Sequence, residues 1–257
     1  MRLLFLSVLV TRPEEAGIAL CQAIHALGGR GIYCPTIAFQ PLMSESVLNK
    51  QLAALQDTDW LIFISPQAVK SIADALRVHW PSLQGKVKLA AVGAGTAATL
   101  KQRGFAPVLA PKTNFGSEGL LDLPEFQSVA SARIVIIRGE GGRQSVIDTL
   151  QKRGARVSSI VTYRRVLPTL NVSPFIAQLK KSEIHALVCT SYDGVQQLKK
   201  LMGEEGWPYL SSLPLVVVSE RIKILAHALG FQTIWVANHA GHEAIINELA
   251  HIKEGKK

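Results

Sequence analysis

The chain has 257 residues, a net charge of +9 and a pI near 9.6. Hydrophobic residues make up 48% and charged residues 18%, enough apolar material for a packed core and a composition that excludes a disordered chain. The basic balance favours anionic partners, but aromatic residues reach only 6% and the cations are scattered, which counts against a base-stacking or stripe-like nucleic-acid surface.

Taken in chain order, residues 1–10 are apolar with one Arg and resemble a short signal segment. They run into Thr11-Arg12-Pro13-Glu14-Glu15 without a small-residue cleavage site, so a buried first strand over 4–10 explains them better. Residues 13–27 predict a helix: Pro lies in the first turn, Glu14 and Glu15 follow, and Gly28-Gly29 stops it. Ile18, Leu20, Cys21, Ile24 and Leu27 give that helix one apolar face. The pattern recurs as strand then helix at 60–64 and 67–76, 89–92 and 96–103, 133–137 and 145–153, 186–189 and 195–202, and 215–218 and 222–229. Continuous apolar strands alternating with amphipathic helices predict an α/β fold with doubly wound parallel sheets. No uncharged apolar run is long enough for a membrane helix. Cys21, Cys34 and Cys189 are far apart and in apolar stretches, which predicts reduced, buried thiols in a cytoplasmic protein.

An internal repeat is visible at one offset. Arg12 and Arg138, Gly28 and Gly154, Ser65 and Ser191, Val92 and Val218, and Gly104-Phe105 and Gly230-Phe231 each stand 126 residues apart. A duplicated α/β unit is therefore expected. In open parallel sheets ligands bind beyond the carboxyl ends of the strands. The residues there are Thr11-Arg12, Ser65-Pro66-Gln67, Gly93-Ala94-Gly95-Thr96, Arg138 through Arg143, Thr190-Ser191 and Ser219-Glu220-Arg221. Free N–H groups at helix starts, together with several Arg, suit a ligand carrying many carboxylates. Ser65, Thr96, Ser191 and Ser219 read equally well as helix caps, and Gly93 and Gly139 as turn residues. Gly93-x-Gly95 lacks the third glycine of a dinucleotide site, and Arg138 to Arg143 lacks the Lys of a phosphate-binding loop. There is no G-x-S-x-G or H-E-x-x-H, and His239 with His242 reads as polar residues at a helix start before it reads as a metal half-site. Chemistry, if any, without a strong nucleophile or a metal is the expectation.

Several segments, in order, carry a family resemblance. They are Leu9-Val10-Thr11-Arg12-Pro13, Pro35-Thr36-Ile37, Phe63-Ile64-Ser65-Pro66-Gln67-Ala68-Val69, Ala91-Val92-Gly93-Ala94-Gly95-Thr96-Ala97, Ser117-Glu118-Gly119-Leu120-Leu121, Ile137-Arg138-Gly139-Glu140-Gly141-Gly142-Arg143, Thr162-Tyr163-Arg164-Arg165 and Val218-Ser219-Glu220-Arg221. Over nearly its whole length the chain resembles the uroporphyrinogen-III synthase family, in its proteobacterial form. The resemblance implies two interleaved domains, 1–37 with 172–257 and 43–162, joined by extended linkers at 38–42 and 163–171 that permit hinge closure. It implies a substrate, hydroxymethylbilane, that is closed to uroporphyrinogen III with loss of water and inversion of the last pyrrole through a spiro intermediate, without a cofactor. Tyr163 is then the group that hydrogen-bonds the departing hydroxyl, and Thr96 matches the family's cleft threonine; these two are the expected catalytic residues. Arg12, Ser65, Gln67, Gly93, Arg138, Gly139, Thr190, Ser191, Ser219 and Arg221 would bind the substrate. Ile64 departs from the Thr of many members, and Ser219-Glu220-Arg221 from a Gly-x-Thr pattern. A monomer that binds no nucleic acid and no membrane is expected, with at most transient contact with hydroxymethylbilane synthase. The competing expectation is a non-catalytic two-domain protein that binds a tetrapyrrole or another polycarboxylate.

Overall fold

The computed structural model describes residues 2–114, 116–142 and 144–255. Met1, Arg143 of the Gly-rich segment, and the tail residues Lys256 and Lys257 lie outside the described residues. In chain order the elements are β1 (Ser7–Val10), α1 (Glu14–Ala26), β2 (Arg30–Tyr33), β3 (Ala38–Pro41), α2 (Glu45–Ala53), β4 (Trp60–Phe63), α3 (Pro66–Lys70), α4 (Ala73–Leu83), β5 (Lys88–Ala91), α5 (Ala94–Gln102) and β6 (Val108–Leu109). They continue as α6 (Ser117–Leu121), α7 (Pro124–Gln127), β7 (Arg133–Gly139), α8 (Ser145–Lys152), β8 (Arg156–Val166), α9 (Ser173–Lys180), β9 (Ala186–Val188), α10 (Tyr192–Ser211), β10 (Leu215–Val217), α11 (Glu220–Ala228), β11 (Ile234–Val236) and α12 (His242–Lys253). No helix among the described residues is long and apolar enough to cross a membrane.

The chain forms two compact units, one from the chain up to Ala38 and from Val166 onward, the other from Phe39–Arg165. The first holds a parallel sheet in the order β2-β1-β9-β10-β11. The second holds β3-β8-β7-β4-β5-β6, with β8 through β6 parallel. Leaving β3 aside, the two orders match strand for strand. Ser7 and Arg133, Arg30 and Arg156, and Trp60 and Ala186, which begin matching strands, stand 126 residues apart. Local geometry agrees at this spacing: Gly28 and Gly154 follow α1 and α8 with φ of 81° and 84°, left-handed conformations that end a helix and favour glycine.

Helices cover both faces of each sheet, which explains the continuous apolar strands. In the second unit Leu61, Phe63, Leu89 and Ile137 pack with residues of α2 to α5, whereas Ile62, Ala90, Ile134 and Ile136 pack with α6 to α8. In the first, Val8, Val10 and Val188 pack with α1 and α12, and Leu9, Leu187 and Val217 with α9 to α11. Successive strand residues point to opposite layers, and both layers are apolar.

Three details differ from the expected pattern. The helix predicted over 67–76 is two helices, because Ser71 donates its hydroxyl to Ala68 O at 2.9 Å and bonds Thr162 Oγ1 at 2.7 Å, a local alternative to the helical ladder. The helix beginning at Tyr192 extends beyond Met202 through a kink at Gly203, whose φ is 59°. Ala38–Pro41 and the residues from Tyr163 to Val166 lie in strands of the second sheet rather than in free connectors, and 167–172 form no regular element. Pro41, which has no N–H to give, is tolerated because β3 is an edge strand.

Candidate functional site

In the second unit the strand order turns back between β7, which leads to β8, and β4, which leads to β5 and β6. At such a point the connections leave in opposite directions and open a crevice beyond the carboxyl ends of the strands. A cavity of about 440 Å³ lies there, lined by Ile64 and Ser65 after β4, Val92 after β5, Gly139 through Gly142 after β7, Gly116 to Glu118, and Tyr163 and Arg165 from β8.

Tyr163 is 5% exposed. Its ring meets Phe39 edge-on at 5.3 Å. On the other side it rests on Gly139, where an added Cβ would fall 2.6 Å from the ring; only glycine leaves that space. The Tyr163 hydroxyl is hydrogen-bonded to Ser65 Oγ at 2.9 Å, and Ser65 Oγ accepts from Ala68 N–H at 3.0 Å, capping α3. Ser65 is thus a cap and a phenol partner at once. The Glu140 N–H donates to Tyr163 O at 2.8 Å, tying the loop after β7 to the same residue. Thr162 Oγ1 lies 3.3 Å from Arg138 O, a third tie in reach when its one proton is not given to Ser71 Oγ. A smaller cavity of about 90 Å³ on the far side of Tyr163 is lined by Phe39, Gln67 and Ser71 among others, so Gln67 faces that space and not the larger one.

Arg138 does not fit the expected role of pairing with ligand carboxylates. It is 9% exposed, and its guanidinium donates to Gly142 O at 2.7 Å, Gln144 Oε1 at 3.1 Å and Gly139 O at 3.4 Å. Its fork holds the loop that walls the cavity. Thr96, in the first turn of α5, is 3% exposed and does not line the cavity. Gly93 is the residue before α5, with extended backbone that needs no glycine. Glu118 and Glu140 share the lining with Arg165, so the cavity is of mixed sign rather than uniformly cationic. Glu118 and Arg165 belong to segments of the family resemblance, but nothing local marked them as lining residues.

In the first unit the corresponding turning point lies between β1 and β9. Thr11 is buried there and donates to Val188 O at 2.9 Å. Ser191 caps α10, accepting from Gly194 N–H at 3.0 Å, the geometry of Ser65 repeated. Thr190 precedes it, half-buried. Ser219 caps α11, accepting from Ile222 N–H at 3.3 Å, and Arg221 is exposed in that helix. Arg12 is half-buried, and burial lowers its pKa. His242 opens α12, and its pKa is lowered by burial and by the Arg12 charge. His239 Nδ1 accepts from Gly241 N–H at 3.0 Å, which ties it to the start of α12. Among the described residues no three His, Cys, Asp or Glu are grouped to hold a metal.

Residues 19–247 match the family model described as uroporphyrinogen-III synthase HemD. The chain belongs to the uroporphyrinogen-III synthase family. The uroporphyrinogen-III synthases of Escherichia coli and Salmonella typhimurium are 36% and 34% identical to it, each over 95% of this chain and 100% of the relative. Two solved family structures share the fold. A mutant enzyme from the extremely thermophilic bacterium Thermus thermophilus covers 98% of this chain and 100% of its own, with a TM-score of 0.62 at 16% identity. The Helicobacter pylori enzyme covers the same shares, with a TM-score of 0.60 at 14% identity.

Proposed function

We propose that this chain is a uroporphyrinogen-III synthase acting in tetrapyrrole biosynthesis, and that the crevice around Tyr163 is where it works. The observation that carries this reading is the Tyr163 hydroxyl held by Ser65 at the mouth of a cavity at the strand-order turning point, in a family member. The substrate is hydroxymethylbilane. Tyr163 donates a hydrogen bond to its terminal hydroxyl, which leaves as water and generates an azafulvene. The substituted carbon of the last pyrrole attacks that centre and gives a spiro intermediate. Cleavage of the other bond at the spiro carbon and reclosure invert the ring, and a proton is lost. The unassisted reaction closes without inversion to the type I isomer, so the protein acts chiefly by holding the chain in the conformation that leads to type III.

On the second unit the carboxylates are held by Ser65 and Gly139 at the larger cavity, and Arg138 acts only through the loop it fixes. Arg12, Thr190, Ser191, Ser219 and Arg221 hold carboxylates on the first. Thr96 supports the first turn of α5 from its buried position. The three buried, unpaired thiols suit a reducing cytoplasm. The protein works as a monomer without a cofactor and takes its substrate from hydroxymethylbilane synthase by at most brief contact. A coupled assay tests the reading: hydroxymethylbilane is generated in situ, products are oxidised, and isomers are separated by chromatography. Predominantly type III is expected. Type I alone from folded protein would remove the enzymatic reading and leave a tetrapyrrole-binding protein.

A further inference from the structure

Tyr163 borders two spaces: the cavity of about 440 Å³ that also touches Gly139 and Ser65, and the smaller one of about 90 Å³ that also touches Phe39, Gln67 and Ser71. Its ring is the partition between them. Toward the larger cavity the hydroxyl is held by Ser65 Oγ at 2.9 Å. Toward the smaller space the Phe39 ring meets it edge-on, with centroids 5.3 Å apart and planes at 88°. Phe39 reaches this place because β3 lies beside β8, where Leu42 N–H donates to Thr162 O at 3.0 Å. The polar neighbours on that side do not keep the phenol on Ser65. Ser71 and Thr162 bond each other at 2.7 Å, and the Gln67 amide is a rival partner for the phenol hydroxyl. Packed side chains relax into a void left when a neighbour is truncated, so the bulk of Phe39 decides whether Tyr163 has room to leave Ser65.

We propose that Phe39 is a positioning residue: its ring closes the space behind Tyr163 and keeps the phenol hydroxyl on Ser65, facing the larger cavity. The use of that hydroxyl on the substrate rests on the functional reading above; the placement of the ring does not. Phe39 does not border the larger cavity, so its effect reaches the reaction only through Tyr163.

The test uses the full chain and Phe39→Leu, which removes the ring from a half-buried position on an edge strand. In wild type, nuclear Overhauser contacts link the Tyr163 ring to the Gly139 α protons; in Phe39→Leu they weaken. In the coupled assay kcat falls about tenfold, following the fraction of molecules with the hydroxyl forward, and half-saturation changes less than about twofold. Phe39→Tyr keeps the ring and brings kcat back to within about twofold of wild type. In a Tyr163→Phe background, Phe39→Leu lowers kcat no further, whereas a merely structural role lowers it equally in both backgrounds. Unchanged Overhauser contacts, equal losses in both backgrounds, or a Phe39→Tyr loss as large as that of Phe39→Leu would each overturn the proposal. Type I product alone from the wild type would strike the enzymatic reading instead, and the Overhauser contacts would still decide the placement of the ring.

Discussion

A phenol pinned between a glycine and a phenylalanine, with its oxygen 2.9 Å from a serine hydroxyl, has little freedom left to lose when a ligand arrives. One lone pair of Ser65 Oγ is occupied by Ala68 N–H, so its own proton is free to go to Tyr163 Oη. The Tyr163 proton is then available to a departing hydroxyl. Tyr163→Phe keeps the ring contacts and removes only that donor. The coupled assay is expected to show kcat lower by about tenfold to a hundredfold, at or below the lower edge of general acid catalysis, because closure also proceeds unassisted. Complete loss of activity in folded protein would contradict this. Little of this arrangement was legible locally. The position of Tyr163 in the site came from the family resemblance, and its contact with Gly139 depends on β7 and β8 lying side by side, which no short-range pattern reports. The cap at Ser65 was legible, because a serine before Pro66 at a strand's end is a helix-start signal.

Among the elements, the loop from Gly139 to Gln144 depends most on one side chain. Arg138→Met leaves Gly142 O and Gln144 Oε1 without their donor. A loss of about 1–3 kcal/mol in unfolding free energy and faster hydrogen exchange at Glu140, whose N–H bonds Tyr163 O, are expected. Unchanged stability with weakened substrate binding would return Arg138 to the role the sequence suggested, a direct partner of carboxylates. The sequence alone could not separate the two roles, because an Arg at a strand's end reads the same whether its fork faces a ligand or its own loop. The strands with apolar residues on both faces were legible from composition alone. β8 was not: much of Arg156–Val166 is exposed, Ser158 and Ser159 break any apolar run, and only an edge strand lies beyond it. β2, β6 and β11 are short and partly exposed, which leaves the same weak signal.

At the scale of the molecule, a repeat of 126 residues invites a cut near the middle, yet the units divide at Ala38 and Phe39 and again at Arg165 and Val166. Periodicity records which strands match but not which copy supplies each sheet; strand pairing between segments far apart in the chain decides that. Burial also sets how the whole fold responds to alkali. Cys34 is 0% exposed, and desolvation pushes its pKa up to about 12; Tyr33 is pushed up to about 12, chiefly by burial and then by Glu14. The unfolded chain releases the thiol proton from about pH 9 upward while the fold still holds it. Stability is therefore expected to fall as pH rises through this window, seen as a lower urea midpoint at about pH 10 than at about pH 8, with a smaller fall in Cys34→Ala. Equal midpoints would refute it.

On the function proposed, the crevice bearing Tyr163 directs ring closure to the type III isomer. Gly139→Ala tests it most directly, because the added methyl must displace the Tyr163 ring that lies 2.6 Å from it. With native circular dichroism and hydroxymethylbilane supplied in situ, the measured quantity is the ratio of type III to type I product. The predicted result is a clear fall from the wild-type ratio toward type I. An unchanged ratio and rate from folded Gly139→Ala would mean that isomer choice is made elsewhere in the molecule.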